Sequence, residues 1–162
     1  MFKWRFAQAL RENNVKKIEL LLYQYIYASS SANLDLFRMT IQMRKLDIFM
    51  KLLKWIPFEQ TKAPGLILLA IGSRWKCNDV RKLAKILNVV PSDSSVFASI
   101  VLDRPDILQL LIEEFNVPSK QKSQTGETPL QVATRLNRIR CTTYLKTIGM
   151  KKTQKEKEMD LA

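Results

Sequence analysis

The sequence predicts an all-α chain of about five helix–turn–helix units, and three observations carry that prediction. Only four glycines occur in 162 residues, Gly65, Gly72, Gly126 and Gly149. That is too few for the tight turns of a hairpin-rich β fold. Leu, Ile, Lys, Arg and Gln are plentiful, and all lose little on entering a helix. Apolar residues at the helical spacing i, i+3, i+4, i+7 recur five times, roughly thirty residues apart.

The five stretches are Ile18, Leu21, Leu22, Tyr25; Phe49, Leu52, Leu53, Ile56; Val80, Leu83, Ala84, Leu87; Leu108, Leu111, Ile112, Phe115; and Cys141, Tyr144, Leu145, Ile148. Each follows a shorter apolar helix candidate, at 4–10, 35–43, 66–71, 95–102 and 128–136. Each of those holds a small residue that lets neighbouring helices approach: Ala9, Thr40, Ala70 or Gly72, Ser99 and Ala133. Short polar turns join the two helices of a unit, at Asn13-Asn14, Arg44-Lys45, Lys76 to Asp79, Asp103-Arg104 and Asn137-Arg138.

Pro57, Pro91 and Pro118 follow the second helices, as expected of a residue that cannot continue a helix. Thr128-Pro129 reads as a cap followed by the first helical residue, and Pro105 as another helix start. Polar linkers are expected at 29–33, 59–62, 92–94 and 119–127. The units fall at 1–31, 32–62, 63–91, 92–122 and 123–150, forming one repeat domain over 1–150. No unit can cover its own apolar face, so neighbours must bury it. Residues 151–162 lack an apolar stripe and read as a flexible charged tail.

The last unit resembles a known family. Gly126-Glu127-Thr128-Pro129-Leu130-Gln131-Val132-Ala133 is similar to the ankyrin-repeat signature G-x-T-P-L-x-x-A. Asn137 stands near the usual inter-helix glycine, Tyr144-Leu145 at the usual Leu-Leu, and Gly149 near the terminal glycine. The second-helix stretches at 106–111, 46–53 and 13–21 resemble the family more loosely. The resemblance implies an ankyrin-like α-solenoid with no intrinsic catalytic centre and no cofactor. It also implies partner binding through the loop tips and the inward, concave face of the first helices.

Composition narrows the function independently. There is no histidine, which removes the usual general base and the commonest zinc ligand. No phosphate-cradling glycine loop is present. Cys77 and Cys141 are too few and too far apart for a structural metal site, and they read as small core thiols in an intracellular protein of cytoplasm or nucleus. No apolar run is long enough to span a membrane. Net charge is +12, from 27 basic and 15 acidic residues. Residues 1–60 hold ten basic against five acidic groups, and 119–149 hold six against one. Such a balance favours an acidic partner.

The expected function is therefore a non-enzymatic protein-interaction module, an adaptor or inhibitory subunit, that binds an acidic segment of another protein. The alternative is a basic helical nucleic-acid binder, which lacks a recognisable motif here. Carried over by position, the resemblance assigns partner binding to Gln124, Thr125, Glu127, Arg135 and Leu136 in the last unit. Upstream it assigns Arg11, Gln42, Arg74 with Trp75, and Val101. Three of these five inner-face stations are arginine, and guanidinium forks suit carboxylates. Trp4 and Trp55 lie on apolar helical faces and are expected in the core or at an end of the stack.

Overall fold

The computed structural model describes residues 1–25 and 30–161. Among the described residues the chain is all-helical, with ten α-helices. In order they are α1 (Phe2–Arg11), α2 (Val15–Gln24), α3 (Ser30–Gln42), α4 (Leu46–Trp55), α5 (Ala63–Gly72), α6 (Cys77–Ile86), α7 (Asp93–Val101), α8 (Pro105–Gln109), α9 (Pro129–Arg135) and α10 (Ile139–Asp160). A 3₁₀ turn, Gln60–Lys62, precedes α5, and α8 runs on into a π-helical segment, Leu110–Glu114. The chain falls into two compact units, Met1–Val89 and Val90–Ala162. The division lies close to the junction expected between the third and fourth repeats.

One turn recurs in all five helix pairs. Two residues after the end of each first helix stands a residue with left-handed backbone: Asn13 (φ 53), Arg44 (φ 58), Arg74 (φ 58), Asp103 (φ 51) and Asn137 (φ 53). The next N–H then reaches back to a carbonyl of the last helical turn, the closure of a Schellman cap. The donors are Asn14, Lys45, Trp75, Arg104 and Arg138. Their acceptors are the carbonyls of Ala9, Thr40, Ala70, Ser99 and Ala133, at 3.0, 2.8, 3.1, 2.8 and 2.8 Å. These are the five small residues singled out in the sequence, with Ala70 and not Gly72 in the third pair, and each is fully buried. Where the small residue carries a hydroxyl, it is satisfied within its own helix. Thr40 Oγ1 donates to the Phe37 carbonyl at 2.7 Å and Ser99 Oγ to that of Val96 at 2.6 Å. A polar atom at this buried station therefore carries no unpaired-group penalty.

In the first unit each second helix packs on its own first helix, and α1, α3 and α5 pack in succession. Phe6, Leu10, Ile18, Phe37, Ile41, Phe49, Leu52, Ile67 and Ile71 are fully or almost fully buried. Each such side chain contributes roughly 1.5–3 kcal/mol relative to exposure. The Phe37 ring meets those of Phe49 and Phe58 edge-on, at 5.2 and 5.0 Å. Turns are also tied sideways: Arg44 Nε donates to the Ser73 carbonyl at 3.0 Å, and Lys45 Nζ to Asn13 Oδ1 at 3.4 Å.

In the second unit α7 packs on α8 and α9, and α10 packs on α8 and α9. Val96, Ile100, Ile107, Leu108, Leu111, Ala133 and Cys141 form the core. Thr128 caps α9 with a complete capping box, its hydroxyl accepting from Gln131 N while the Gln131 side chain accepts from Thr128 N.

Several expectations need correcting. The linkers placed at 29–33 and 92–94 are mostly helical, because α3 starts at Ser30 and α7 at Asp93; Ser29 lies outside the described residues. Leu53 is half-buried, and its neighbour Leu52 takes the core position. Trp4 and Trp55 are 64% and 38% exposed, which removes the core from the two places expected for them and leaves the end of the stack. Residues 151–160 are not irregular: they prolong α10, with every side chain from Met150 to Leu161 exposed. Lysines and glutamates are good helix formers, so a helix already nucleated by a packed face continues without further burial.

Candidate partner-binding face

The shared turn fixes the register of the first helices, and with it the residues expected to meet a partner. Counting back two residues from each left-handed position gives Arg11, Gln42, Gly72, Val101 and Arg135. Each is the last residue of its first helix and each is exposed. Arg11, Gln42, Val101 and Arg135 thus stand at equivalent positions in their own hairpins. Arg74 does not. It is the left-handed turn residue of the third pair and corresponds to Asn13 and Arg44. The station predicted for it belongs to Gly72, and two of the five stations are arginine instead of three. One residue of the two-residue offset has a physical source. In the third pair α6 starts one residue later after its left-handed turn, because Trp75 is inserted before the cap residue Lys76.

Trp75 is withdrawn from the binding surface altogether. It is 2% exposed, and its indole N–H donates to the Ile41 carbonyl at 2.7 Å. A ring so placed fastens the third hairpin onto the second and has no open face for a base or a peptide.

In the first unit the exposed side of the first helices holds a groove of about 540 Å³ between α3 and α5. Leu34, Arg38 and Gln42 line it from α3, Leu68 and Leu69 from α5, and Lys62 from the turn before α5. Gly65 lines it too, and a Cβ added there would meet nothing within 4 Å. Two of its cations are already paired: Arg38 Nη1 lies 3.8 Å from Asp35 Oδ1 and Lys62 Nζ 3.8 Å from Glu59 Oε1. Asp35 also accepts from Lys3 of α1. The cations are exposed and Asp35 is only half-buried, so each pair is worth little and is readily exchanged.

Sequence reasoning found Gln42 here but missed Arg38, Lys62, Gly65 and the two leucines. A signal was present in α5, whose ten residues, Ala63 to Gly72, include no charged side chain. A helix apolar on every side must leave some of that surface on its open face.

In the second unit the predicted loop-tip residues come together. Gly126 (φ 81) turns the loop, with Ser123 N donating to the Glu127 carbonyl at 2.8 Å. Thr125 Oγ1 donates to Glu127 Oε2 at 3.1 Å, and Arg135 grips both Glu127 oxygens at 2.8 and 2.9 Å. The Arg135 guanidinium holds the Glu127 carboxyl below its ordinary range, and Glu127 in turn raises Arg135. Glu127 and Arg135 therefore brace the loop against α9, while Gln124 stays exposed and Leu136 is half-buried.

Other ionisable groups serve packing. Burial, with the Asp103 charge adding to it, pushes the Cys141 thiol up to about 12. Burial raises the Tyr144 hydroxyl, which donates to Glu113 at 3.0 Å. Among the described residues no three His, Cys, Asp or Glu side chains gather as a metal site, and no helix is long and apolar enough to cross a membrane. Comparison with protein-family models, with curated protein sequences and with solved structures finds no match.

Proposed function

We propose that the chain is a non-enzymatic protein-interaction module of ankyrin-like helix pairs, an adaptor or inhibitory subunit. In this reading the first-helix face of its first unit takes an acidic, partly aliphatic segment of another protein. The observation that carries the reading is the groove between α3 and α5, with leucines at its floor and Arg38, Lys62 and Gln42 at its rim. Aliphatic side chains of a partner would cover Leu68 and Leu69, while its carboxylates replace Asp35 and Glu59 beside the two cations. Exchanging one exposed carboxylate for another is nearly neutral. The apolar contacts then supply most of the affinity, and the charges supply selection. The fivefold turn supports the repeat reading, since hairpins closed by the same hydrogen bond present equivalent exposed stations once per unit.

The test is fluorescence anisotropy with three labelled probes: a peptide alternating Glu and Leu, its counterpart with Lys for Glu, and a duplex oligonucleotide. The acidic peptide should bind and the basic one should not. Arg38→Glu with Lys62→Glu should weaken acidic-peptide binding at least about tenfold, while Lys16→Glu with Lys51→Glu leaves it within about twofold. Failure of the acidic peptide to bind would sink the reading. Tight oligonucleotide binding, with a log–log salt slope of about −0.9 per phosphate neutralised, would assign the charge to nucleic acid.

A further inference from the structure

The second helices of the first unit carry a different surface. Lys16 on α2, Lys51 and Lys54 on α4, and Lys82 and Lys85 on α6 have no ion-pair partner among the described residues. On the first helices and the turn before α5, Lys3, Arg38 and Lys62 are paired while Arg5 and Arg11 are not, and on α2 Lys17 pairs with Glu12. The buried residues Leu21, Leu52 and Leu83 set the register of α2, α4 and α6. In that register Leu20, Lys51 and Lys82 share one station, and Tyr23, Lys54 and Lys85 share the next.

Apolar side chains are interleaved with these lysines. Tyr23 is 77% exposed and Leu20 60%, and Met50, Trp55 and Ile86 are also exposed. Between α2 and α4 runs a groove of about 360 Å³ lined by Glu19, Leu22, Tyr23, Lys54, Trp55 and Ile56. The exposed acids of these three helices are Glu19 and Asp47; Asp79 is half-buried. Met1–Val89 as a whole holds sixteen basic and six acidic residues, and so ten of the twelve net charges.

We propose that this second-helix face docks on an anionic lipid bilayer as a peripheral contact. Unpaired lysines meet the headgroups without breaking an internal ion pair, and each adds to attraction by a negatively charged leaflet. Tyr23 and Trp55 are the residue types that settle at the headgroup level, and Leu20, Met50 and Ile86 supply aliphatic surface for the acyl boundary. The same features argue against nucleic acid. The unpaired cations are compact lysines in place of flat arginine forks, and exposed aliphatic side chains have no use on a phosphate backbone. The proposal is independent of the α3–α5 groove, which lies on the first helices.

Co-sedimentation of the full chain with vesicles tests it. One set is phosphatidylcholine with about 30% phosphatidylserine, the other phosphatidylcholine alone. The chain should partition to the anionic vesicles and not to the neutral ones, and raised salt should release it. Lys54→Glu with Lys85→Glu, and separately Lys51→Glu with Lys82→Glu, should each lower partition at least about tenfold, with melting curves confirming that both variants fold. In a Trp4→Phe background, Trp55 emission should shift to the blue on binding, since Trp75 is already buried. Arg38→Glu with Lys62→Glu should leave vesicle binding intact, so this proposal can fail without the groove reading failing. Equal partition to both vesicle types, or indifference to both lysine pairs, would overturn it. So would a duplex oligonucleotide that needs these lysines while vesicles are ignored.

Discussion

Gly65 offers a test in which folding and binding should move in opposite directions. It lies in the first turn of α5, has no positive φ, and a Cβ built on it meets nothing within 4 Å. Nothing in the fold therefore requires a glycine there. Glycine in a helix is less stable than alanine by roughly 0.5–1 kcal/mol, because the unfolded chain loses more freedom on ordering. Near a helix end the lower figure applies, so Gly65→Ala should stabilise by about 0.5 kcal/mol, a rise in melting temperature of about 1–2 °C for a chain of this size. Gly65 also lines the groove beside Arg38 and Leu68. Gly65→Leu would place a branched side chain in that space and should weaken acidic-peptide binding at least about tenfold without lowering stability. Urea unfolding and peptide anisotropy on the same two variants read both quantities. A lower urea midpoint for Gly65→Ala would show that the site is less open than the geometry says. Full peptide affinity in a folded Gly65→Leu variant would refute the groove as the binding seat.

Leu52→Ala and Leu111→Ala each empty a fully buried position and should cost about 2–5 kcal/mol, whereas the half-buried Leu53→Ala should cost clearly less; denaturant midpoints of the three variants rank them. Arg74 holds a left-handed φ of 58, which asparagine tolerates better than arginine, so Arg74→Asn should raise the urea midpoint by an amount equivalent to about 0.5–1 kcal/mol. Arg44→Asn should gain less, because it removes the bond from Arg44 Nε to the Ser73 carbonyl. Iodoacetamide at mildly alkaline pH should label Cys77, which is half-buried, and spare Cys141, whose thiol stays protonated far above that pH; mass spectrometry before and after unfolding reads the difference. Truncation after Lys151 removes a segment that is exposed throughout 152–161 and should leave the melting temperature almost unchanged.

The helix pairs were legible because two independent signals agree on them. Apolar spacing located the second helices, and the small residues Ala9, Thr40, Ala70, Ser99 and Ala133 marked where each first helix closes its turn. What failed to show was anything decided by a single inserted residue. Trp75 lengthens the third turn by one, so the seven-residue step that joins Ile18 to Arg11 and Phe49 to Gln42 lands from Val80 on Ser73, when the equivalent residue is Gly72. The π-helical segment Leu110–Glu114 absorbs a residue in a similar way, with Val117 N reaching back to the Leu111 carbonyl. No composition signal marks either insertion. The exposure of Trp4 and Trp55 was hidden for another reason. Both fit an apolar pattern along their own helix, and only the position of the neighbouring helix decides whether that side is covered.

Charge was the least legible property, although its sum was known from the start. Arginine at the partner-facing stations looked like a binding signature because a guanidinium suits a carboxylate. At Arg135 the same affinity operates within the chain and the local partner wins, whereas Arg11 has no ion-pair partner among the described residues. Arg135 lies within bidentate reach of Glu127, so its fork is filled before any partner arrives. Arg38 and Lys62 have looser partners at 3.8 Å, on exposed side chains, and can still exchange them. The lysines of α4 and α6 have none. Arg11 aside, available charge therefore rises from the Glu127 loop, through the α3–α5 groove, to the second-helix face. Electrostatic steering follows that availability and not the count of basic residues. A salt titration should accordingly weaken vesicle binding through Lys54 and Lys85 far more than peptide binding at Arg38, since an exchanged ion pair changes little net charge. Equal salt slopes for the two ligands would mean that the Arg38 and Lys62 pairs do not persist in solution.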